Sequence, residues 1–410
     1  MLIESLMMQA RANTTHWLDS ARPPKRLPLE ILPVRVETAI VGAGIAGISV
    51  ACELVKRGGD PAGLLLIDGA APGHGASGRN GGFVLTYPGT IMNDWLEKYG
   101  EHFVAQLMEK NRRNRELVRD TVERFAVPCQ RGGSYYIAGH ADEEDWLRAS
   151  AEFLGRDPES DATLVPPPPH SPHQRQALFV RNDFGVHSGE YLNRRLDECE
   201  APYVTDCAIT GCKAEGTGVV VMTTRGLVHA ERVIFAANVH LPLLNEFFAR
   251  TIPITPRRNQ VMMLRPANAA DRTWGDAIYY ANEGYEYWRQ FPDGRILLGG
   301  LRNRDAEGEA RIELGANNHI LEIMRNEFVP KLTLGAPFEI ERVWSGVMGF
   351  TPDEIPVCGI LPETDGRIAY LGGFSGYGVG LHRVVVEALV DSLGENDPDP
   401  IFSPDRIRQI

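Results

Sequence analysis

The run Gly42-Ala43-Gly44-Ile45-Ala46-Gly47 follows directly on the apolar segment Glu37 to Val41, and an acid, Asp68, stands 21 residues beyond the last of its glycines. Each glycine has its own task. The first permits a tight turn, the second lets a pyrophosphate approach the backbone, and the third lets a helix pack closely on the preceding strand. The helix N-terminus then meets the phosphates, and a carboxylate at Asp68 is placed to accept hydrogen bonds from a ribose. A second run, Gly75-Ala76-Ser77-Gly78-Arg79-Asn80-Gly81-Gly82-Phe83, offers small residues and backbone amides to a diphosphate, with Arg79 and Asn80 as side-chain donors to cofactor or substrate.

These residues need a scaffold, and the sequence around them supplies one. Residues 37–41 read as a strand. Ile45, Ile48, Ala51, Cys52 and Val55 repeat at helical spacing up to Gly58-Gly59, and Leu64 to Ile67 form a second strand ending at Asp68. The result is a β-α-β unit of the size that opens a dinucleotide-binding domain. Residues 94–125 read as one or two long helices, residues 132–138 as a short strand, and residues 187–199 as a helix with Ser188 as its cap. From Thr251 to Arg302, alternating apolar and polar positions with a turn at Pro292-Asp293-Gly294 predict antiparallel strands. The expected fold class is α/β, a doubly wound domain joined to a second domain on an antiparallel sheet.

Composition narrows the function. Of the 410 residues, 43% are hydrophobic and 23% charged, which places the chain among globular proteins of two or three domains. A net charge of −12 without a Lys/Arg stripe argues against a nucleic-acid partner. No apolar run reaches membrane-span length, and residues 1–20 lack a secretory pattern, so a cytoplasmic protein is expected. The six cysteines have no metal-ligand or C-x-x-C spacing, so no metal and no disulfide framework is expected. Nothing in the sequence specifies an oligomeric state.

The 75–83 run resembles the FAD-dependent amine and amino-acid oxidases of the D-amino-acid oxidase superfamily, particularly the branch with sarcosine oxidase and γ-glutamylputrescine oxidase. The resemblance extends from Thr15-His16-Trp17 through Pro256 to Val261 and is strongest in residues 344–359 and in Gly372-Gly373-Phe374-Ser375-Gly376-Tyr377-Gly378-Val379-Gly380. It implies FAD as cofactor. Its closing segment would bring Gly346, Gly373, Phe374, Gly376, Tyr377, Gly378 and Val379 to the flavin, where amides at a helix N-terminus face the electron-rich carbonyl edge. Ile209 falls where the family has a valine whose backbone contacts adenine, although a plain core isoleucine accounts for it equally well.

The resemblance implies oxidation of a primary or secondary amine, or an amino acid, to an imine by hydride transfer to the flavin. The imine is then hydrolysed, with O2 the expected acceptor and H2O2 the product. A dehydrogenase acting on a hydroxy acid or serving another acceptor, and a non-catalytic flavin-bearing partner subunit, stay open beside it. Departures from the family refine the expectation. Gly346 stands where sarcosine oxidases carry a cysteine bonded to FAD, so non-covalent FAD is expected. The lysine that holds a substrate carboxylate would fall near Gly380, and the oxygen-activating lysine near Leu297. An amine without a carboxylate at its reacting carbon is therefore favoured. Tyr377, in place of the family's histidine, is a candidate catalytic residue together with Trp344, Tyr280 and Arg79. The aromatic strands carrying Tyr280 would serve as core just as well.

The expected division assigns residues 1–36 to an N-terminal arm and residues 37–90, 187–240 and 343–394 to the FAD domain. Residues 91–186 and 241–342 form the helices and substrate domain, and residues 395–410 a C-terminal tail.

Overall fold

The computed structural model describes residues 14–87, 89–157, 160–244, 246–267, 273–362, 364–394 and 398–408. Its first sheet is built on the β-α-β unit. Strand Arg35–Val41 runs parallel to Leu64–Ile67 on one side and to Gly226–Phe235 on the other, and helix Ile45–Lys56 makes the crossover. All four residues of Leu64–Ile67 are buried, as a parallel strand covered on both faces requires. Its alternation divides two cores. Ile40, Leu64 and Leu66 pack with Ile48 and with Val385 and Leu389 of the closing helix Gly378–Ser392. Ala39, Val41, Leu65 and Ile67 face Val221, Phe235 and Phe248 instead. Strand Ile368–Gly372 joins beside Gly226–Phe235, also in parallel, so chain from three distant stretches completes one sheet.

The second sheet has eight strands and is antiparallel except where Ile278–Ala281 runs parallel to Ser134–Ile137. Period-two alternation again separates two layers: Met262, Leu264, Trp288 and Leu298 on one face, Val261, Met263, Tyr287 and Leu297 on the other. The second layer also contains Trp17 and Trp344 and lies against the first half of the molecule.

The long helix Thr90–Arg124 is broken at Gly100, whose φ of 80° is not helical, in keeping with the one or two helices expected. Two elements differ from the sequence reading. Helix Ser188–Cys199 is capped by His187, whose Nδ1 accepts the Glu190 N–H at 3.1 Å, rather than by Ser188. Strand Phe338–Phe350 pairs with Thr255–Pro266 along its whole length, so Trp344 to Phe350 belong to the second sheet and cross the expected boundary at residue 343. Ladder pairing, which a single sequence does not display, sets that boundary.

Candidate active site

One cleft runs between the two sheets. At one end it is lined by Gly42, Gly44 to Ala46, Asp68, Ile209 and Ala236; it continues past Ser77, Arg79 to Gly81, Gly346 to Met348 and Phe374 to Val379, and ends at Tyr280, Tyr287 and Arg302.

The dinucleotide end is built from close backbone contacts. Gly42 has φ +105°, and a β-carbon on Gly47 would lie 1.8 Å from its carbonyl oxygen. Helix Ile45–Lys56 thereby starts directly above the strand end, with no side chain capping it from Gly44. Asp68 accepts the Ala43 N–H at 2.7 Å and the Ala70 N–H at 2.8 Å. Burial raises its carboxyl above the usual range while these two donors oppose that shift. Ala43 and Gly47 thus shape the turn from outside the cleft.

The 75–83 run is braced from three directions. Thr15 Oγ1 donates to the Gly78 carbonyl at 2.6 Å and Trp17 Nε1 to the Asn80 carbonyl at 2.6 Å, so the N-terminal arm is part of the site's wall. The Asn80 amide donates to the Ala76 and Ser77 carbonyls and accepts from Gly82 N–H and Ser188 Oγ. Those bonds fold the loop and hold Gly82 behind it. Ser77 Oγ accepts the Ile45 N–H at 2.9 Å, joining the two glycine runs. Arg79 donates to the His74 carbonyl at 2.7 Å and the Ser345 carbonyl at 3.1 Å, and burial lowers its guanidinium to about 10.

At the far end, the Asn238 side chain accepts the N–H groups of Gly373 (2.9 Å) and Phe374 (3.3 Å), which orients the loop that opens helix Gly378–Ser392. Tyr377, half-buried, packs against Tyr87 with ring centroids 4.2 Å apart, and its hydroxyl donates to Glu354 at 3.3 Å. Burial raises the Tyr377 and Tyr280 hydroxyls, the latter to about 12, so both stay protonated near neutrality.

Trp344 requires a correction. Its side chain is 2% exposed and its indole donates to the Arg79 carbonyl at 3.1 Å, packed with Trp17, Tyr287 and Leu297 beneath the loop. It supports the site from outside the cleft. Leu297, at the expected lysine position, lies in the same layer. At Gly380 a β-carbon would fall 1.6 Å from the Tyr87 hydroxyl, so Tyr87 fills the space of the missing side chain. Tyr87, Asn238 and Arg302 escaped the sequence reading. Tyr87 sits in coil with no periodic signal, whereas Asn238, just past the buried strand end at Phe235, and Arg302, after Gly299-Gly300, stood at strand termini where site residues gather.

The cleft suits FAD on its own geometry. Backbone-lined turns, a helix N-terminus and a buried carboxylate stand at one end, and a second helix N-terminus stands some distance along the same cavity. A side chain at Gly346 would meet Arg79 Cβ at 2.9 Å, which leaves no room there for a cysteine tether.

A dinucleotide-binding sheet with a parallel centre, a glycine-lined cleft and a largely antiparallel cap define a flavin-dependent oxidoreductase. The chain belongs to the FAD dependent oxidoreductase family, whose model matches residues 37–392. It is 26% identical over 392 residues to γ-glutamylputrescine oxidoreductase of Escherichia coli, covering 88% of this chain and 84% of that protein. To a probable oxidoreductase, OrdL, of Rhizobium meliloti it is 25% identical over 373 residues, or 87% and 83% of the two chains. Among solved structures, L-proline dehydrogenase from P. horikoshii superposes with a TM-score of 0.75 at 20% identity, over 92% of this chain and 99% of that one. Glycine oxidase from Geobacillus kaustophilus does so at 0.71 and 18%, over 90% and 98%. No helix among the described residues is long and apolar enough to cross a membrane.

Proposed function

We propose that the protein oxidises the C–N bond of a primary or secondary amine, or of an amino acid, to an imine that water then hydrolyses, with O2 as electron acceptor. The observation that carries this reading is the continuity of the cleft from Asp68, past Gly346 and Gly376, to the aromatic end at Tyr280 and Tyr287. It is supported by relatives whose names specify amines, γ-glutamylputrescine oxidoreductase and a sarcosine oxidase β subunit of Arthrobacter, the latter 24% identical over 46% of this chain.

Bound non-covalently, FAD supplies two-electron acceptance next to the amine nitrogen. The chain's share is binding and orientation. The 42–47 turn, Asp68 and Ile209 hold the adenosine and diphosphate end. Ser77, Arg79, Asn80, Gly81 and Gly82 would form and brace the loop against the ring, and Gly346 and Gly376 to Val379 would present backbone at its carbonyl edge, with Gly373 and Phe374, tied to Asn238, holding that loop in place. Tyr280, kept protonated by burial, is a hydrogen-bond donor to substrate rather than a base, and Tyr377, whose proton goes to Glu354, offers substrate its hydroxyl oxygen and ring. The reading divides the chain into an FAD domain and a substrate domain as set out above, except that residues 343–350 pass to the substrate sheet. A cytoplasmic setting suits six cysteines without pairing spacing.

The test is anaerobic bleaching of the yellow holoenzyme by a panel of amines, followed by peroxide detection in air. Bleaching by hydroxy acids alone, or by nothing, would overturn the proposal. Acid precipitation should release the flavin into the supernatant.

A further inference from the structure

Two of the six cysteines meet across a helix pair. Cys52 lies in helix Ile45–Lys56 and Cys199 is the last residue of helix Ser188–Cys199; both belong to one core, with exposures of 7% and 0%. Their contact follows from helix geometry. Cys52 Sγ donates to the Arg195 carbonyl at 3.3 Å and Cys199 Sγ to the Leu196 carbonyl at 3.3 Å, so the two sulfurs rest on consecutive carbonyls of one turn. In the i to i−4 pattern of an α-helix, the Arg195 carbonyl is also the partner of the Cys199 N–H. The thiols are thereby within hydrogen-bonding reach of each other. Among the described residues, Cys207, Cys212 and Cys358 have no cysteine acting on their thiols.

A buried cation sets this pair apart. Arg195 is 3% exposed and acts on both thiols; its guanidinium donates to Glu198, while its Nε is buried with no hydrogen-bond partner among the described residues. Positive charge beside a thiol favours the thiolate, which is the nucleophilic form. The two sulfurs respond in opposite directions. Burial raises the Cys52 thiol, whereas Cys199 is lowered, first by its hydrogen bond with Cys52 and then by the Ala201 N–H and the Arg195 charge. A more acidic thiol held against a less acidic one is the arrangement of an attacking and a resolving sulfur. Cys199 also ends its helix, and Glu200 beyond it is left-handed with φ 54°, so the attacking sulfur stands where a helix opens most readily to a small solute.

We propose that Cys52 and Cys199 are a reversible redox pair, closed to a disulfide by hydrogen peroxide. The Cys199 thiolate attacks one peroxide oxygen; the O–O bond breaks, leaving a sulfenic acid and a hydroxide that takes up the thiol's proton as water. The Cys52 sulfur then attacks the sulfenic sulfur, the S–O bond breaks, and the departing hydroxyl takes the Cys52 proton as a second water. Two thiols are oxidised to one disulfide while one peroxide is reduced to two waters. The bond joins two helices that frame the glycine runs: one starts at the 42–47 turn, and the other carries Ser188, whose Oγ donates to Asn80. No spacing in the sequence displays the pair, because helix packing rather than chain proximity makes it. The chemistry does not depend on the amine-oxidation reading, since peroxide from any source serves.

The experiment exposes the folded holoenzyme to excess hydrogen peroxide, removes the peroxide, unfolds the protein in iodoacetamide without reductant, and maps its peptides by mass. The expected product is one cross-linked pair carrying Cys52 and Cys199, two hydrogens lighter than its separate peptides, and dithiothreitol should restore both thiols. The oxidised protein should also melt about 5 °C higher than the reduced one, because the bond closes a long loop. Cys212→Ser should keep both responses. Cys52→Ser should lose both and carry Cys199 on to the sulfinic acid, for want of a resolving thiol. Full alkylation of Cys52 and Cys199 after peroxide overturns the proposal, as does a disulfide from either of them to a different cysteine, or Cys199 sulfinic acid beside a reduced Cys52. These outcomes are read on the wild type and need no variant to fold. A melting temperature that falls on oxidation would mean that the helices must part to bond, which equally overturns the pairing.

Discussion

Gly42 and Gly47 are in contact through backbone: a β-carbon on Gly47 would sit 1.8 Å from the Gly42 carbonyl oxygen, which the strand end cannot move aside. At Gly44 the nearest atom to a β-carbon is the Ser77 hydroxyl at 3.0 Å, and φ there is −81°, open to any residue. Glycines three residues apart in one motif thus answer to different constraints, one of packing and one of ligand access.

Gly47→Ala is therefore expected to yield little folded protein, since the helix must leave the strand. Gly44→Ala should keep the wild-type circular dichroism and lose FAD affinity by about tenfold or more, because in the proposed placement of FAD its methyl would stand where the diphosphate meets the backbone. Equal flavin content in the two purified variants would show that the diphosphate lies elsewhere.

The contrast explains what the sequence disclosed. The β-α-β unit was legible because its strand, turn, helix and acid are contiguous, and each leaves a local signature. Tyr87 and Arg302 depend on distant partners. Tyr87 matters because it occupies the space above Gly380, and Arg302 because Tyr285, in a turn, and Phe350, at a strand end, converge on it. Likewise Thr15 and Trp17 look like arm residues until their hydrogen bonds to Gly78 and Asn80 place them under the flavin loop. The expected boundary at 343 falls inside strand Phe338–Phe350, whose register is set by distant Thr255–Pro266 and so leaves no local signal in Trp344-Ser345-Gly346.

Acid sensitivity follows from the same arm. Burial, aided by the Arg295 charge, lowers His16 from 6.5 to about 3, and burial lowers His187 to about 4. Both imidazoles are neutral in the native protein between about pH 4 and 6.5, where the unfolded chain takes up their protons. Stability thus rises with pH across this window and is lost as pH falls through it. His187→Asn preserves an acceptor for the Glu190 N–H, as asparagine caps helices well. Near pH 5 the variant should take up about one proton fewer on unfolding, seen as a shallower slope of Tm against pH. Parallel slopes would mean that His187 is already charged in the native state.

Trp344 separates support from catalysis. Its indole is buried with Trp17, Tyr287 and Leu297 and spends its N–H on the Arg79 carbonyl, while Arg79 in turn reaches back to the Ser345 carbonyl. Strand and loop are thus stitched together on both sides of Gly346, whose missing side chain lets Arg79 approach. Trp344→Phe removes one buried donor and part of a ring from beneath the loop, which should cost about 1–3 kcal/mol of stability. Because the indole does not reach the cleft, kcat/KM per FAD-loaded molecule should stay within about threefold of wild type. The measurement pairs denaturant unfolding with turnover normalised to bound flavin. A tenfold loss of kcat at full flavin occupancy, with stability unchanged, would return the indole to the reacting substrate.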